Sequence, residues 1–294
     1  MGYIMNFKSG QELIKICDEN NISISDAMIL RETEDLGGNL HQVMDKMGQA
    51  WSIMKNSAKA ALKGDIVSMG GLIGGEAASL NQRRQEGHPS VCGTLMSKAI
   101  SYAMGVLEVS SSMGLIVAAP TAGSSGAIPG AFLAIQEEMQ LSDDDMIKAL
   151  FNAGAIGYLI AYNATVAGAE GGCQAEVGSA SAMAASAITE LMGGSPRQCL
   201  HAATGAISNL LGLICDPIGG LVEAPCQQRN AMGVSNALIS AEIALGNIKN
   251  VVPFDEAVTV MYNVGRSIPH ELRETALGGL AAAPSVCSMC RMCG

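Results

Sequence analysis

Apolar positions at helical spacing organise most of this chain. Leu13, Ile14, Ile16 and Cys17 share a face behind Ser9, which predicts a Ser9-capped helix to about Asn20. Ser25 is expected to cap a second helix through Glu34, and Gly37-Gly38 breaks the chain before a longer amphipathic helix to about Lys63. Residues 93–110 form a further helical span. Ser142 caps another, with Asp143, Asp144 and Asp145 on its positive dipole end. Beyond Leu150 that helix is apolar on every face, the mark of an interior position. Ser195-Pro196 opens the next, with Pro at the first helical position, and residues 230–247 and 254–265 supply two more. The best strand candidate, residues 114–119, is short, and neither strand–helix alternation nor a repeat is visible. The expected fold is all-α: a compact multi-helix domain around a buried apolar central helix.

Composition sharpens that expectation. Of 294 residues 49% are hydrophobic but only 3% aromatic, with 35 Gly and 18 Met filling the space, so helices should approach closely. The net charge of -10 disfavours a nucleic-acid binder, which needs clustered cations. The uncharged run at residues 149–169 is long enough to cross a bilayer. It contains Asn152, Tyr158, Tyr162 and Asn163, and a buried helix explains it better. The amino terminus lacks a secretory pattern, so a cytoplasmic location is expected and the nine cysteines are read as reduced thiols.

Three of those thiols stand in loop-like surroundings. Cys173, Cys215 and Cys226 sit beside Gly, Pro or polar turn residues, 42 and 11 residues apart, with no histidine nearby. Thiolates are soft ligands suited to iron–sulfur clusters or zinc, but close C-x2-C pairing for zinc is missing here. By spacing alone they are either a metal site or core cysteines. Cys17 reads as a small core residue, and Cys92 and Cys199 show no evident partner. Two other segments are rich in backbone donors. Ser68, Gly70 and Gly71 open a run with four glycines in six residues, and Thr121, Gly123, Ser124, Ser125 and Gly126 form a loop before Pro129-Gly130. Either segment suits a carboxylate; either also suits close helix packing.

The residues around Cys173 (Gly-Ala-Glu-Gly-Gly-Cys-Gln-Ala-Glu-Val-Gly), those running from Cys215 to Ala231, and Pro-Thr-Ala-Gly-Ser-Ser-Gly-Ala-Ile-Pro-Gly at 120–130 resemble the iron–sulfur L-serine dehydratases. The resemblance runs from about Ser57 to Leu280, and the length is similar to the α subunit of the two-subunit form. It implies a lyase that converts L-serine to pyruvate and ammonia in a mainly helical catalytic domain. It also implies a [4Fe-4S] cluster on Cys173, Cys215 and Cys226 whose open iron acts as a Lewis acid on the serine hydroxyl. The organisation expected is a peripheral helical segment at 1–60, a catalytic domain at 61–280 and a Cys-rich tail at 281–294. Ser68, Gly70, Gly71, Thr121, Gly123, Ser124, Ser125, Gly126 and Arg229 are candidates to bind substrate. Arg229 is equally read as a structural ion pair with Glu223 or Glu176.

A general base is harder to name. His41 reads as a surface residue and His201 and His270 as structural ones, which leaves His88, in Gly-His-Pro-Ser, as the local candidate. A Ser-Ser-His-Thr motif that supplies the base in this family lies in its other domain or subunit and is absent from this chain. A beta subunit carrying the complementary domain is therefore an expected partner, beside L-serine, with no nucleic acid and no membrane. In some family members a C-terminal cysteine occupies the fourth iron. One of Cys287, Cys290 and Cys293 is a candidate for that position; the alternatives are a separate metal site or a disordered tail. Two rivals remain: a pyridoxal-phosphate enzyme, disfavoured because Lys63 and Lys98 fall on helical patterns, and a non-enzymatic electron-transfer or cluster-carrying subunit.

Overall fold

The computed structural model describes residues 6–289 except Leu36 and Gly38. Helix α1 (Gly10–Asn20) opens on Ser9, whose Oγ accepts the Glu12 N–H at 3.1 Å. The next cap is Ser23 rather than Ser25. Ser23 and Asp26 exchange side-chain and backbone bonds in a capping box, so α2 (Ile24–Leu30) starts earlier than expected. Ser25 lies buried in its first turn, where Glu190 takes its N–H and that of Ile24. A π-helical turn, Arg31–Asp35, ends this arm, and α3 (Leu40–Ala60) runs on as a 3-10 turn to Lys63.

Two helices arise where the hydropathy reading assigns none. One is α4 (Glu76–Gln85), whose first N–H groups are taken by Glu108, buried on α5 (Gly93–Ser111): Ala77 donates at 2.9 Å and Gly75 at 3.2 Å. The other is α6 (Ala127–Met139), in which Pro129 and Gly130 are buried in the first turn, where a missing N–H costs nothing. The stretch at 114–119 forms no strand. Among the described residues the β-type pairing is a single isolated bridge between Cys215 and Arg273.

The apolar helix read at the centre is α7 (Asp143–Asn163), capped by Ser142 through a box with Asp145. After the short α8 (Gly168–Gly171) comes α9 (Ser179–Leu191), more enclosed still, with Ser, Ala, Met and Ile buried from Ser179 to Thr189. Asn152 on α7 accepts from Ser186 and donates to Glu190, both on α9, at 2.7 Å each. That network satisfies the buried Asn152 and Ser186. Around them pack α10 (Pro196–Asn209), α11 (Cys226–Leu245) and α12 (Phe254–Ser267), and α13 (Pro284–Met289) follows at the end. Phe7, Leu13, Ile24 and Trp51 join the same hydrophobic core as α7 and α9. Among the described residues no helix is long and apolar enough to cross a membrane.

Small residues set the closest approach. A Cβ on Gly130 would lie 2.8 Å from both Ala103 Cβ and Ala99 O on α5. Gly130→Ala is expected to lower stability by about 1–3 kcal/mol through overpacking, against a helix-propensity gain of about 1 kcal/mol. Urea unfolding measures this as a lower midpoint at unchanged slope; a midpoint at or above wild type would show that α5 and α6 separate freely.

Candidate active site

The three loop cysteines are brought together, each by a different local device. Gly172, at φ +76°, turns the chain out of α8 just before Cys173; a Cβ there would strike Ile268 and the Leu213 carbonyl. Gln174 then ties this turn to its neighbours. Its N–H donates to Leu213 O at 3.0 Å, its Nε2 to Met261 O at 2.9 Å, and its Oε1 accepts from Gly212 N at 2.9 Å. Cys215 is held by a short parallel pairing: it donates to Leu272 O at 2.9 Å and accepts from Glu274 N at 2.7 Å. Cys226 is the first residue of α11. All three side chains are buried.

Burial sets their chemistry. It pushes the Cys173 thiol up to about 12, against the opposing pull of Arg229 and with a further push from Glu176 and Cys226. Cys226 is likewise pushed up to about 12, by burial and then Glu176. Cys215 rises further, through burial, Cys173 and Glu176. Cys173 thus feels Cys226, and Cys215 feels both. Glu176 is itself raised by burial while accepting from Thr121 Oγ1 at 2.6 Å, and Cys215 Sγ donates to it at 3.8 Å. A Cβ on Gly168 would sit 2.5 Å from Glu176 and 3.1 Å from Cys215 Sγ, so only Gly leaves that space open.

Further carboxylates fix the surrounding loops. Glu223, three residues before Cys226, accepts from Ser68 Oγ at 2.6 Å, Gly70 N at 2.7 Å and Leu72 N at 3.0 Å. The donors of the Ser68–Gly71 segment therefore meet a carboxylate, but an internal one. Arg229 pairs with neither Glu223 nor Glu176: its partner is Asp216, at 2.7 Å, and it also donates to Ile214 O. Cys173 and Asp216 hold the guanidinium above its usual value although burial opposes the charge. Asn230 clamps the next loop, accepting from Gly126 N at 2.9 Å and donating to Gly123 O at 2.7 Å. Thr121 and Ser124 share a hydroxyl contact at 3.1 Å, while Ser125 turns back onto Ala122 O.

The structure thus gathers Cys173, Cys215, Cys226, Thr121, Gly123 and Arg229 around Glu176 and Asp216, with Ser68, Gly70 and Gly71 behind Glu223. His88 is not among them. It lies exposed, 3.3 Å from Glu86, and lines a surface cavity of about 170 Å³ with Arg83, Arg84 and Cys92. The side chain of Cys287, and Cys290 and Cys293 altogether, lie outside the described residues. Glu176, Asp216, Asn230 and Glu274 were not expected as site residues; the first three stand inside the cysteine motifs, which is a signal in the sequence, whereas Glu274 is brought in only by its pairing with Cys215.

The sequence profile described as "Serine dehydratase alpha chain" matches residues 19–281. The chain belongs to that family. A "Probable L-serine dehydratase, alpha chain" of Bacillus subtilis is 46% identical over 279 residues, covering 95% of this chain and 92% of that protein. The "L-serine dehydratase, alpha chain" of Peptoniphilus asaccharolyticus is 43% identical, covering 94% of each. Against the longer "L-serine dehydratase TdcG" of Escherichia coli, 34% identical, the match covers 94% of this chain and 62% of that protein.

For this serine dehydratase alpha chain the buried thiols make a pH prediction. Unfolded thiols ionise near 9, whereas folded Cys173 and Cys226 hold their protons to about 12. Across that window the unfolded state binds fewer protons, so stability of the metal-free chain is complete below pH 9 and falls as pH rises. Urea unfolding between pH 8 and 10.5 is expected to show this decline. The decline is expected to be shallower in a variant with Cys173, Cys215 and Cys226 changed to Ser, which retains the equally buried Cys17 and Cys199. Equal slopes would assign the effect elsewhere.

Proposed function

We propose that this chain is the catalytic alpha subunit of an L-serine dehydratase, and that Cys173, Cys215 and Cys226 hold a [4Fe-4S] cluster. The observation that carries the reading is the convergence of three buried thiols from separate segments in a chain of this family. Their donor chemistry fits the group. Thiolates in this buried setting need a cationic partner, and soft sulfur donors favour iron. Among the described residues no three His, Cys, Asp or Glu side chains are placed to share a single metal ion. In a cubane each thiolate binds a different iron, so its ligands need not meet at one point. Arg229, beside Cys173 and bound to Asp216, offsets part of the negative charge.

When bound, the cluster supplies a Lewis-acidic iron that eases departure of the serine β-hydroxyl. The chain's own groups orient the substrate. Glu176 holds the Thr121 hydroxyl, which Ser124 contacts from a fully buried position, and so fixes the loop that borders the substrate. The Ser68–Gly71 segment acts through Glu223, keeping the Cys226 loop in place. Loss of the α-proton and of the hydroxyl, as water, leaves aminoacrylate, which tautomerises and is hydrolysed to pyruvate and ammonia. The group that takes the α-proton is assigned to a partner chain, since His88 pairs with Glu86 at the surface. Two further observations support a partner: the greater length of the Escherichia coli relative, and exposed Leu277 and Leu280 on the segment paired with the Cys215 loop.

Anaerobic reconstitution tests the reading. Wild-type chain is expected to take up iron and sulfide, develop a broad visible absorption, and change that spectrum when L-serine is added. Single replacement of Cys173, Cys215 or Cys226 by Ser is expected to abolish stable cluster uptake, and turnover is expected only with the partner chain. A cluster indifferent to L-serine, with reversible one-electron chemistry, would favour a cluster-carrying subunit instead.

A further inference from the structure

Among the described residues the carboxylate of Glu274, on the segment beside Cys215, has no hydrogen-bond partner. The segment from Leu272 to Leu280 is stitched to the Cys215 loop at both ends. Leu272 O accepts from Cys215 N at 2.9 Å, Glu274 N donates to Cys215 O at 2.7 Å, and Leu280 N donates to Asp216 Oδ2 at 2.7 Å. Glu274 therefore lies directly alongside a cluster-binding cysteine and cannot drift from it. Its backbone adopts φ +64°, a left-handed conformation that disfavours a Glu side chain and suits Gly or Asn. Ala276 in the same loop shares that conformation, at φ +55°, but brings no functional group.

Three other acids around the thiols are committed, and the exposed Glu170, just before Cys173, is not among the charges that act on them. Asp216 holds Arg229 and Leu280 N; Glu176 holds Thr121 and Cys215; Glu223 holds Ser68, Gly70 and Leu72. The Glu274 carboxylate is exposed and, among the described residues, accepts no hydrogen bond. Its charge is nevertheless felt inside the site, where it helps to raise Glu176, Cys215 and Cys226. An exposed anion whose backbone is held beside Cys215 suits a substrate that presents a cation there, because an amino acid carries its ammonium on the carbon that loses the proton.

We propose that Glu274 receives the α-ammonium group of the substrate, and so selects amino acids over hydroxy acids of the same size. This rests on the dehydratase reading above and names the substrate contact that reading leaves open. The contact is a charge-assisted hydrogen bond from N⁺–H to carboxylate. It orients the Cα–H bond with the substrate carboxylate on the Thr121 side.

Glu274→Gln, in the reconstituted chain with its partner, tests it. The dissociation constant of L-serine, from calorimetry and from the serine-induced spectral change, is expected to rise about 10- to 100-fold, the loss of one hydrogen bond to a charged group. KM should rise in parallel and kcat should change far less. Binding of 3-hydroxypropionate, which lacks the ammonium, is expected to be unchanged, and Glu274→Asp to recover part of the serine affinity. Glu274→Gly relieves the left-handed backbone yet is expected to lose serine affinity as Gln does. Unaltered serine binding in Glu274→Gln overturns the proposal, as does equal weakening of serine and 3-hydroxypropionate, which would make the residue a shaper of the loop. A wild-type assembly that neither binds nor turns over L-serine overturns the dehydratase reading itself, and this inference with it.

Discussion

Buried carboxylates accepting backbone N–H groups hold the loops of this protein in place. Glu223 gathers Gly70 and Leu72, Asp216 takes Leu280, and Glu108 takes Gly75 and Ala77 at the start of α4. A buried charge without hydrogen bonds is costly, and so is an unpaired buried N–H, so each loop and its acid stabilise one another. Gln227, next to Cys226, joins the arrangement by donating to Glu108 at 3.0 Å. The backbone around the thiols is thereby fixed by groups that lie behind it, while the sulfurs make only the long Cys215 contact to Glu176 and the Cys173 contact to Arg229 among the described residues.

That division has an electrostatic consequence. The same burial that makes the frame rigid keeps the thiols protonated, since Glu176 and neighbouring thiols oppose any further negative charge. Loading a cation there must release protons, which couples occupancy of the site to pH. Arg229 is the one cation shown acting on Cys173 and Cys226, and Asp216 takes part of its charge. Burial and the neighbouring acids therefore keep the thiols neutral until something replaces their protons.

Much of the helical frame was legible locally. Ser9, Ser142 and Ser195 act three residues ahead of their partners, and Pro196 sits where a helix begins, so the caps are visible in short windows. The apolar run of α7 is legible because no charge interrupts it. Ser25 misled because Ser23 has Asp26 at the capping-box distance and Ser25 does not. The loop reading of residues 120–130 failed at α6 because Pro and Gly are tolerated in a first turn and Gly130 is used for close packing against α5.

The site divides along the same line. Sequence by itself determined the helical class, the central helix and the cysteine-bearing loops that carry the family resemblance, since each depends on neighbours a few residues apart. Tertiary structure decided that Arg229 meets Asp216, that Ser68 and Gly70 serve Glu223 some 150 residues away, and that Glu274 stands beside Cys215. Those pairings close long loops through buried polar bonds, and nothing in a local window indicates which distant acid a given N–H will reach.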